Sequence, residues 1–270
     1  MTIQRHYIEA VLFVATWMCL GWVLHLGPEV YLLIGIPLVL VFQTTIRRKP
    51  VRALWVRDSE RFRLRPLGIA VALALALIPA SAFALSILQR EWTQSAFLAA
   101  ACVGAIGAGF AGQYVGSALS RRALLPLGGA VAVGIMSMAI AALTEGRSPV
   151  VHFRQVPSLL LGFITYVPVC FALEEVAFRG ALDTHVWLPE GSRRQAWVSA
   201  FLVSSLWGVW HLPILGEPTP LAVLAAAPVM ILAHAVDGAF IAFSWRASGS
   251  LLLPAIYHSL VDAYRDTIQS

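Results

Sequence analysis

Three charged side chains interrupt a run that is otherwise almost wholly apolar between Val156 and Leu182: Glu174, Glu175 and Arg179. An ionisable residue at membrane depth costs about 2.5–3.5 kcal/mol on insertion scales, so each one is a candidate for function. Glu175 precedes Arg179 by four residues, the favourable order for an ion pair on one helix face. Glu174 is turned by about 100° from Glu175 in an α-helix. We therefore expect one structural glutamate and one that is available for chemistry.

Two further polar pairs stand on later apolar segments. His211 follows Trp207 by four residues, and Asp262 follows His258 by four, so the members of each pair share a helix face. We expect the Trp207 ring to shield His211 from lipid. Asp262 is expected to accept a hydrogen bond from His258 and so fix the tautomer of its ring.

Helix lengths allow these groups to meet. Glu174 lies about 13 residues above the turn near Trp187, and His211 lies about 16 residues up the returning helix, a height difference of about 5 Å. His258 lies about 10 Å into its own span. The three side chains can therefore face one cavity on the cytoplasmic side of the mid-membrane. His234 and Asp237 are a further pair that could also reach this cavity, and the sequence does not decide whether they do. The histidines at span ends (His6, His25, His152 and His185) are expected to play no part in it.

A cavity lined by these side chains could catalyse hydrolysis. One carboxylate and two imidazoles can polarise a water molecule, and a carboxylate in low dielectric is suited to act as a general base. Two histidines and one glutamate are also the ligand set of a catalytic zinc site. The residue types do not separate these two mechanisms. The HExxH pattern of soluble zinc proteases is absent from the sequence.

Composition predicts the scaffold that must position these residues. The chain has 270 residues, of which 59% are hydrophobic and 12% charged, about half the charged fraction of a soluble domain. Apolar runs of about 18 residues or more recur along it, without the alternation of a membrane β-barrel. We predict an all-α, polytopic transmembrane bundle of eight or nine spans near 7–26, 28–46, 67–88, 95–119, 124–144, 156–182, 196–212, 220–244 and 251–267.

Charge and small residues predict how the bundle is arranged. The segment 47–65 holds eight of the 19 basic residues, which places it in the cytoplasm and leaves no charge pattern that indicates nucleic acid. Residues 1–150 are predicted to be scaffold helices and residues 151–270 the catalytic core. Within the scaffold, Gly104, Ala108, Gly112 and Gly116 recur every four residues and predict a face for close helix packing.

Three motifs resemble those of the CPBP intramembrane proteases, the family that includes CAAX prenyl endopeptidases and bacteriocin-processing or self-immunity (Abi-like) proteins. EEVAFRG at 174–180 resembles the EExxxR motif. SSLWGVWHLP at 204–213 resembles the FxxxH motif, with Trp207 in the place of phenylalanine. SGSLLLPAIYHSLVDA at 248–263 resembles the HxxxN or HxxxD motif. The resemblance covers residues 155–265, approximately, and its strength lies in the order and spacing of all three motifs.

The resemblance implies a membrane endopeptidase with defined residue roles. Glu174 would activate water, His211 would assist it, and His258 with Asp262 would stabilise the oxyanion, while Glu175 and Arg179 support them. An ionised aspartate cannot donate a hydrogen bond, so Asp262 is expected to orient His258, which would be the donor. A metal-free, glutamic-type mechanism without a cofactor is favoured; in a zinc-dependent version the ligands would be Glu174, His211 and His258.

The sequence also suggests a setting. A single lysine, Lys49, and abundant alanine and arginine suggest a bacterium, in which the protein would be a multi-pass component of the inner membrane. Its partners would be lipid and a membrane-associated protein or peptide, such as a leader peptide or the C-terminal sorting tail of an exported protein. The alternatives are a non-proteolytic scaffold or immunity protein of the same fold and a proton-coupled transporter.

Overall fold

The computed structural model describes residues 3–57, 63–113, 119–215 and 219–270. Its long elements are α-helices: α1 (Ile3–Val23), α2 (Pro28–Val41), α3 (Pro66–Gln89), α4 (Trp92–Gly112), α5 (Arg121–Thr144), α6 (Val156–Cys170), α7 (Arg193–Trp210), α8 (Pro220–Ser248) and α9 (Leu252–Gln269). Two of them continue as π-helix, α2 through Phe42–Ile46 and α6 through Phe171–Asp183, after which Thr184–Val186 is again α-helical. Short 3₁₀ turns occupy Val51–Leu54, Phe153–Gln155 and Leu212–Ile214. The predicted all-α bundle is confirmed.

Eight helical segments in the described part of the chain are long and apolar enough to cross a membrane. They run from α1 to α8 and include the whole stretch Phe153–Val186. The predicted ninth span is a helix, α9, but it is not among the eight. Asp262, Arg265 and Asp266 make its C-terminal half too polar, although most of its residues are buried against other helices. The protein is thus an integral, multi-pass membrane protein with an amphipathic last helix.

Local sequence signals set several helix boundaries. Pro66 and Pro220 stand in the first turns of α3 and α8, where their missing N–H groups have no intrahelical partner to lose. Oγ of Ser192 accepts a hydrogen bond from the backbone N–H of Gln195 at the start of α7, at 3.2 Å. Gly249 ends α8 with φ +67°, a left-handed conformation that glycine adopts without steric cost.

Contacts between helix ends fit a chain that crosses the membrane repeatedly. Val56, in the basic segment, pairs with Ser250 between α8 and α9. At the opposite end, the side-chain amide of Gln155 donates to the carbonyl of Thr267 at 3.0 Å. Each of these contacts joins ends that an even number of helix crossings would bring to the same side of the membrane.

The predicted small-residue face of α4 does allow close packing, and at Gly104 the partner is α6. A Cβ added at Gly104 would stand 2.0 Å from the carbonyl oxygen of Pro168, so only glycine permits this approach. Ala108 and Gly112 are buried on the same face, and Gly116 lies outside the described residues. One hydrophobic core cluster includes residues from both α1–α2 and α6–α9, and the division at residue 150 stays a prediction.

Candidate active site

The π-helical segment of α6 carries both glutamates into the middle of the bundle, where α7 and α9 bring the two histidines. Oε2 of Glu174 lies 3.8 Å from Nε2 of His211 and 3.7 Å from Nε2 of His258. Nε1 of Trp207 donates a hydrogen bond to the same carboxylate oxygen at 2.9 Å. The structure thus brings together the acid and the two imidazoles that the sequence singled out, and it adds an indole that fixes the carboxylate.

The backbone of α7 determines which face His211 presents. Its Nδ1 lies 2.9 Å from the carbonyl oxygen of Trp207, which can only accept, so Nδ1 carries the proton. In the neutral ring Nε2 is then an acceptor that faces Glu174. The helical spacing predicted that Trp207 would shield His211, and the two rings do pack, with centroids 5.8 Å apart.

His258 is held by Glu175 rather than by the expected Asp262. Its Nδ1 lies 3.0 Å from Oε1 of Glu175, and Nε2 lies 3.5 Å from Oδ2 of Asp262. The expectation that Asp262 would be the main hydrogen-bond partner differs from this geometry because the π-helical turn directs Glu175 at α9. Asp262 instead lies on the Nε2 side of the ring, beside Glu174.

Glu175 also meets its expected cation. Nε of Arg179 lies 3.7 Å from Oε2 of Glu175, and both side chains are almost fully buried. The separation exceeds that of a direct hydrogen bond. Arg179 is further held by Oγ of Ser204 at 3.4 Å and lies over the ring of Trp207, 5.3 Å from its centroid.

Two neighbours of Asp262 were missed by sequence reasoning. Nη1 of Arg265 donates to Oδ1 of Asp262 at 2.9 Å, and Sγ of Cys170 lies 3.7 Å from Oδ2. Arg265 could have been found, because it follows Asp262 by three residues and so shares its helix face. Cys170 carried no such signal, since its position depends on how α6 packs on α9.

The pair left open in the sequence divides into two environments. The ring of His234 lies beside that of His211, with centroids 4.5 Å apart, and its Nδ1 is bound to the carbonyl oxygen of Met230 at 2.9 Å. Asp237 turns elsewhere and accepts a hydrogen bond from the hydroxyl of Tyr257 at 2.6 Å. His234 thus joins the edge of the site as a third imidazole, whereas Asp237 does not.

The first two helices support the end of α7, where His211 is located. The hydroxyl of Tyr31 donates to the carbonyl oxygen of Trp210 at 2.8 Å. Nε1 of Trp17 in turn donates to the carbonyl oxygen of Tyr31 at 2.8 Å. These three aromatic residues are fully buried, so α1 and α2 hold the backbone that precedes His211.

Residues 156–264 match the family model of the type II CAAX prenyl endopeptidase Rce1-like proteins. This part of the chain is similar to the CAAX endopeptidase family. The matched region contains the acids and imidazoles of the site, from Glu174 on α6 to Asp262 on α9, and Arg265 lies one residue beyond it. No curated protein and no solved structure matches the chain. The CAAX endopeptidase match indicates protease activity on a peptide substrate, within the bilayer that the eight apolar segments would span.

The site of this CAAX endopeptidase relative is a loose fit for zinc. Tetrahedral ligand atoms at zinc lie about 3.3 Å apart, whereas Glu174 is 3.7 Å or more from each imidazole, and its Oε2 already accepts from Trp207. Among the described residues, the sets whose ligand atoms all lie within 4.8 Å of one another are Cys170, His258 and Asp262, and His6, Glu9 and His185. The set of Glu174, His211 and His258 is not one of them.

Proposed function

We propose that the chain is an intramembrane endopeptidase in which Glu174 activates a water molecule to hydrolyse a peptide bond. The observation that supports this best is the position of Oε2 of Glu174, 3.8 Å from Nε2 of His211 and 3.7 Å from Nε2 of His258. These gaps are too long for direct hydrogen bonds and leave all three atoms able to share a small polar molecule. The side chain of Glu174 is 13% exposed and that of His211 is 19% exposed, so the acid remains accessible.

In the first step Glu174 acts as the base. Its carboxylate takes a proton from water while the water oxygen bonds to the carbonyl carbon of the substrate. The carbonyl π electrons move to the oxygen and form a tetrahedral oxyanion. Nε2 of His211 accepts a hydrogen bond from the second O–H of the water, because its Nδ1–H already donates to the carbonyl oxygen of Trp207. The indole N–H of Trp207 holds the carboxylate in place throughout.

In the second step the intermediate collapses. As the carbonyl double bond re-forms, the carbon–nitrogen bond breaks and the proton held by Glu174 passes to the leaving nitrogen. The products are a carboxylic acid and an amine, which become a carboxylate and an ammonium group when the acid proton moves to the amine. His258 is the donor to the oxyanion through an Nε2–H group, and such a donor is worth about 2.7–4 kcal/mol in other hydrolases. A protonated His258 ring has a carboxylate on each nitrogen, with Glu175 at Nδ1 and Asp262 at Nε2.

This mechanism is of the glutamic type and assigns no metal to the site. It relies on Glu174 as an ionisable base and on two imidazoles that keep their Nε2 atoms directed at it. Because the three side chains fit zinc poorly as they are placed, no step passes through a metal ion. Asp262, held by Arg265, keeps its charge close to His258 without being a donor itself.

The substrate we propose is a membrane-associated protein or peptide of a bacterial inner membrane, such as a leader peptide or the C-terminal sorting tail of an exported protein. The lipid bilayer is the other partner, and nucleic acid is not one. The decisive experiment is quantitative proteomics of membranes from cells with the wild-type chain, the Glu174→Gln variant or the control Glu190→Gln, whose carboxylate is exposed.

A precursor that accumulates with Glu174→Gln and not with Glu190→Gln would identify the substrate. General-base catalysis contributes about 10²–10⁴-fold, so the purified variant should cleave that precursor slower by a factor in this range. Unchanged cleavage by Glu174→Gln would end the proposal. If that variant also restored every effect of a deletion, a non-proteolytic scaffold would explain the chain better, while proton-driven uptake lost in Glu174→Gln would favour a transporter.

A further inference from the structure

A second cluster of ligand-type side chains joins α1 to the end of the α6 segment. His6 and Glu9 lie on α1, and His185 lies in the short stretch Thr184–Val186. Nε2 of His185 is 2.8 Å from Oε2 of Glu9, and the rings of His6 and His185 have centroids 4.4 Å apart. One ligand atom from each of the three residues lies within 4.8 Å of the other two.

The bonding around this cluster is incomplete. Nδ1 of His6 is a buried atom with no hydrogen-bond partner among the described residues. Oε1 of Glu9 accepts from Nε of Arg5 at 2.7 Å, which leaves Oε2 directed at His185. The side chains of Glu9 and His185 are 15% and 7% exposed, so the donors are largely shielded and keep a small accessible area.

We propose that His6, Glu9 and His185 form a binding site for a divalent first-row transition-metal ion, of which Zn²⁺ is the representative used below. Two imidazoles and one carboxylate are a ligand set that zinc favours, with water in the fourth position. The unpartnered nitrogen of His6 would gain a ligand bond. Ions that prefer an all-oxygen shell, such as Mg²⁺ and Ca²⁺, should bind poorly because two of the three donors are imidazoles.

Binding requires a small rearrangement. The hydrogen bond between His185 and Glu9 must open, so that Nε2 gives up its proton and both atoms turn to the ion; metal binding of this kind releases protons. Arg5 stays on the other carboxylate oxygen and neutralises part of the charge of Glu9, which lowers the affinity. The ring of Phe42 packs edge-on against His185, with centroids 5.1 Å apart, and limits how far His185 can move.

An ion at this site would tie α1 to the helix that carries Glu174 and Glu175. It would stabilise the folded chain by binding it in preference to the unfolded chain, without contacting a reacting group. A chelator would then reduce the activity of this protein even though the proposed mechanism uses no metal at the catalytic site.

The experiment uses the full chain, purified in detergent without a histidine tag, in a His258→Ala background. That change removes one residue from each of the other two possible ligand sets, Cys170–His258–Asp262 and Glu174–His211–His258. After treatment with EDTA and its removal, Zn²⁺ is titrated by calorimetry and the thermal midpoint is measured at each concentration. The variants are His6→Gln and His185→Ala, and the control is His25→Asn, an exposed residue just beyond the other end of α1.

We expect one Zn²⁺ per chain and a midpoint that rises with Zn²⁺ in the background chain and in His25→Asn. Affinity should fall by about tenfold or more in His6→Gln and in His185→Ala, since even loss of an outer partner costs 10–100-fold. His6 lies near the start of α1, so His6→Gln stays informative if His185→Ala fails to accumulate. Binding that is unchanged in His6→Gln, or no binding by the background chain, would overturn the proposal.

Discussion

Nδ1 of His258 lies 3.0 Å from Oε1 of Glu175, while Nε2 of the same ring lies 3.7 Å from Oε2 of Glu174. Two adjacent glutamates therefore lie next to the two different nitrogen atoms of one imidazole ring. In the proposed reaction the Nε2 atom that faces Glu174 carries a proton, while the hydrogen bond to Glu175 sets the orientation of the ring. This division explains why two neighbouring acids can have separate roles in the proposed reaction.

The Glu175→Gln variant tests that division. We expect it to lower kcat by about 10–100-fold, as loss of an orienting partner does, and to lower stability by up to about 3–5 kcal/mol because Arg179 is left without its carboxylate in the core. Glu174→Gln should reduce kcat at least as much with little change in stability. Thermal midpoints in detergent and single-turnover cleavage separate the two effects, and equal midpoints for both variants would contradict the assignment.

The Asp262→Asn variant probes the third motif. The amide can still accept a hydrogen bond from Arg265 and can also donate one, so we expect activity to stay within about tenfold of wild type, a change of about 1.4 kcal/mol. Asp262→Ala should reduce kcat further because it removes both contacts. Asp266→Asn is the matched control, since Asp266 also binds Arg265. A larger loss with Asp266→Asn than with Asp262→Ala would refute the role given to Asp262.

The His234→Gln variant asks whether the third imidazole matters. His234 packs beside His211, with ring centroids 4.5 Å apart, so its loss should loosen the ring of His211 and lower kcat by about tenfold, or 1.4 kcal/mol. KM should change little, because His234 is not placed to bind the scissile bond. Asp237→Asn, which alters the neighbouring hydrogen bond to Tyr257, serves as the comparison. An effect confined to Asp237→Asn would show that His234 is only a packing residue.

Two glycine variants test the approach of α4 to the catalytic helix. Gly104→Ala would drive its Cβ to 2.0 Å from the carbonyl oxygen of Pro168, and such overpacking costs about 1–3 kcal/mol. Gly128→Ala, on α5, meets nothing within 4 Å and should be neutral or slightly stabilising because alanine favours helix. Thermal unfolding in detergent compares them, and similar midpoints would mean that α4 can move aside.

Much of this fold could be predicted from composition, because spans of apolar residues have few alternatives in a bilayer. The predicted boundaries of α3 (67–88) and α5 (124–144) differ from the observed Pro66–Gln89 and Arg121–Thr144 by three residues or fewer. The ninth segment was harder to interpret. Its polar residues belong to the site and its environment, so its hydropathy alone does not identify it as a span.

The residues of the site could be predicted from the sequence, but the hydrogen bonds between them could not. Helix lengths allowed Glu174, His211 and His258 to meet, and the structure brings them together. The link from Glu175 to His258 was missed, since it depends on a π-helical register that packing on neighbouring helices decides. His185 was expected to play no part in this site and does not contact it; its partner is Glu9 on α1, a contact that the sequence separation of the two residues does not reveal.

The thirteen-residue π-helix Phe171–Asp183 has a consequence for how this chain can vary. A π-turn holds more residues than an α-turn. The directions of Glu174 and Glu175 are therefore set by how many residues between Cys170 and Thr184 are wound as π-helix. A deletion of one residue there would leave the hydropathy untouched and keep every motif letter, yet it would rotate the two acids relative to α7 and α9. Proteins that evolve from this one would therefore have to keep the number of residues in this segment as well as its motif residues.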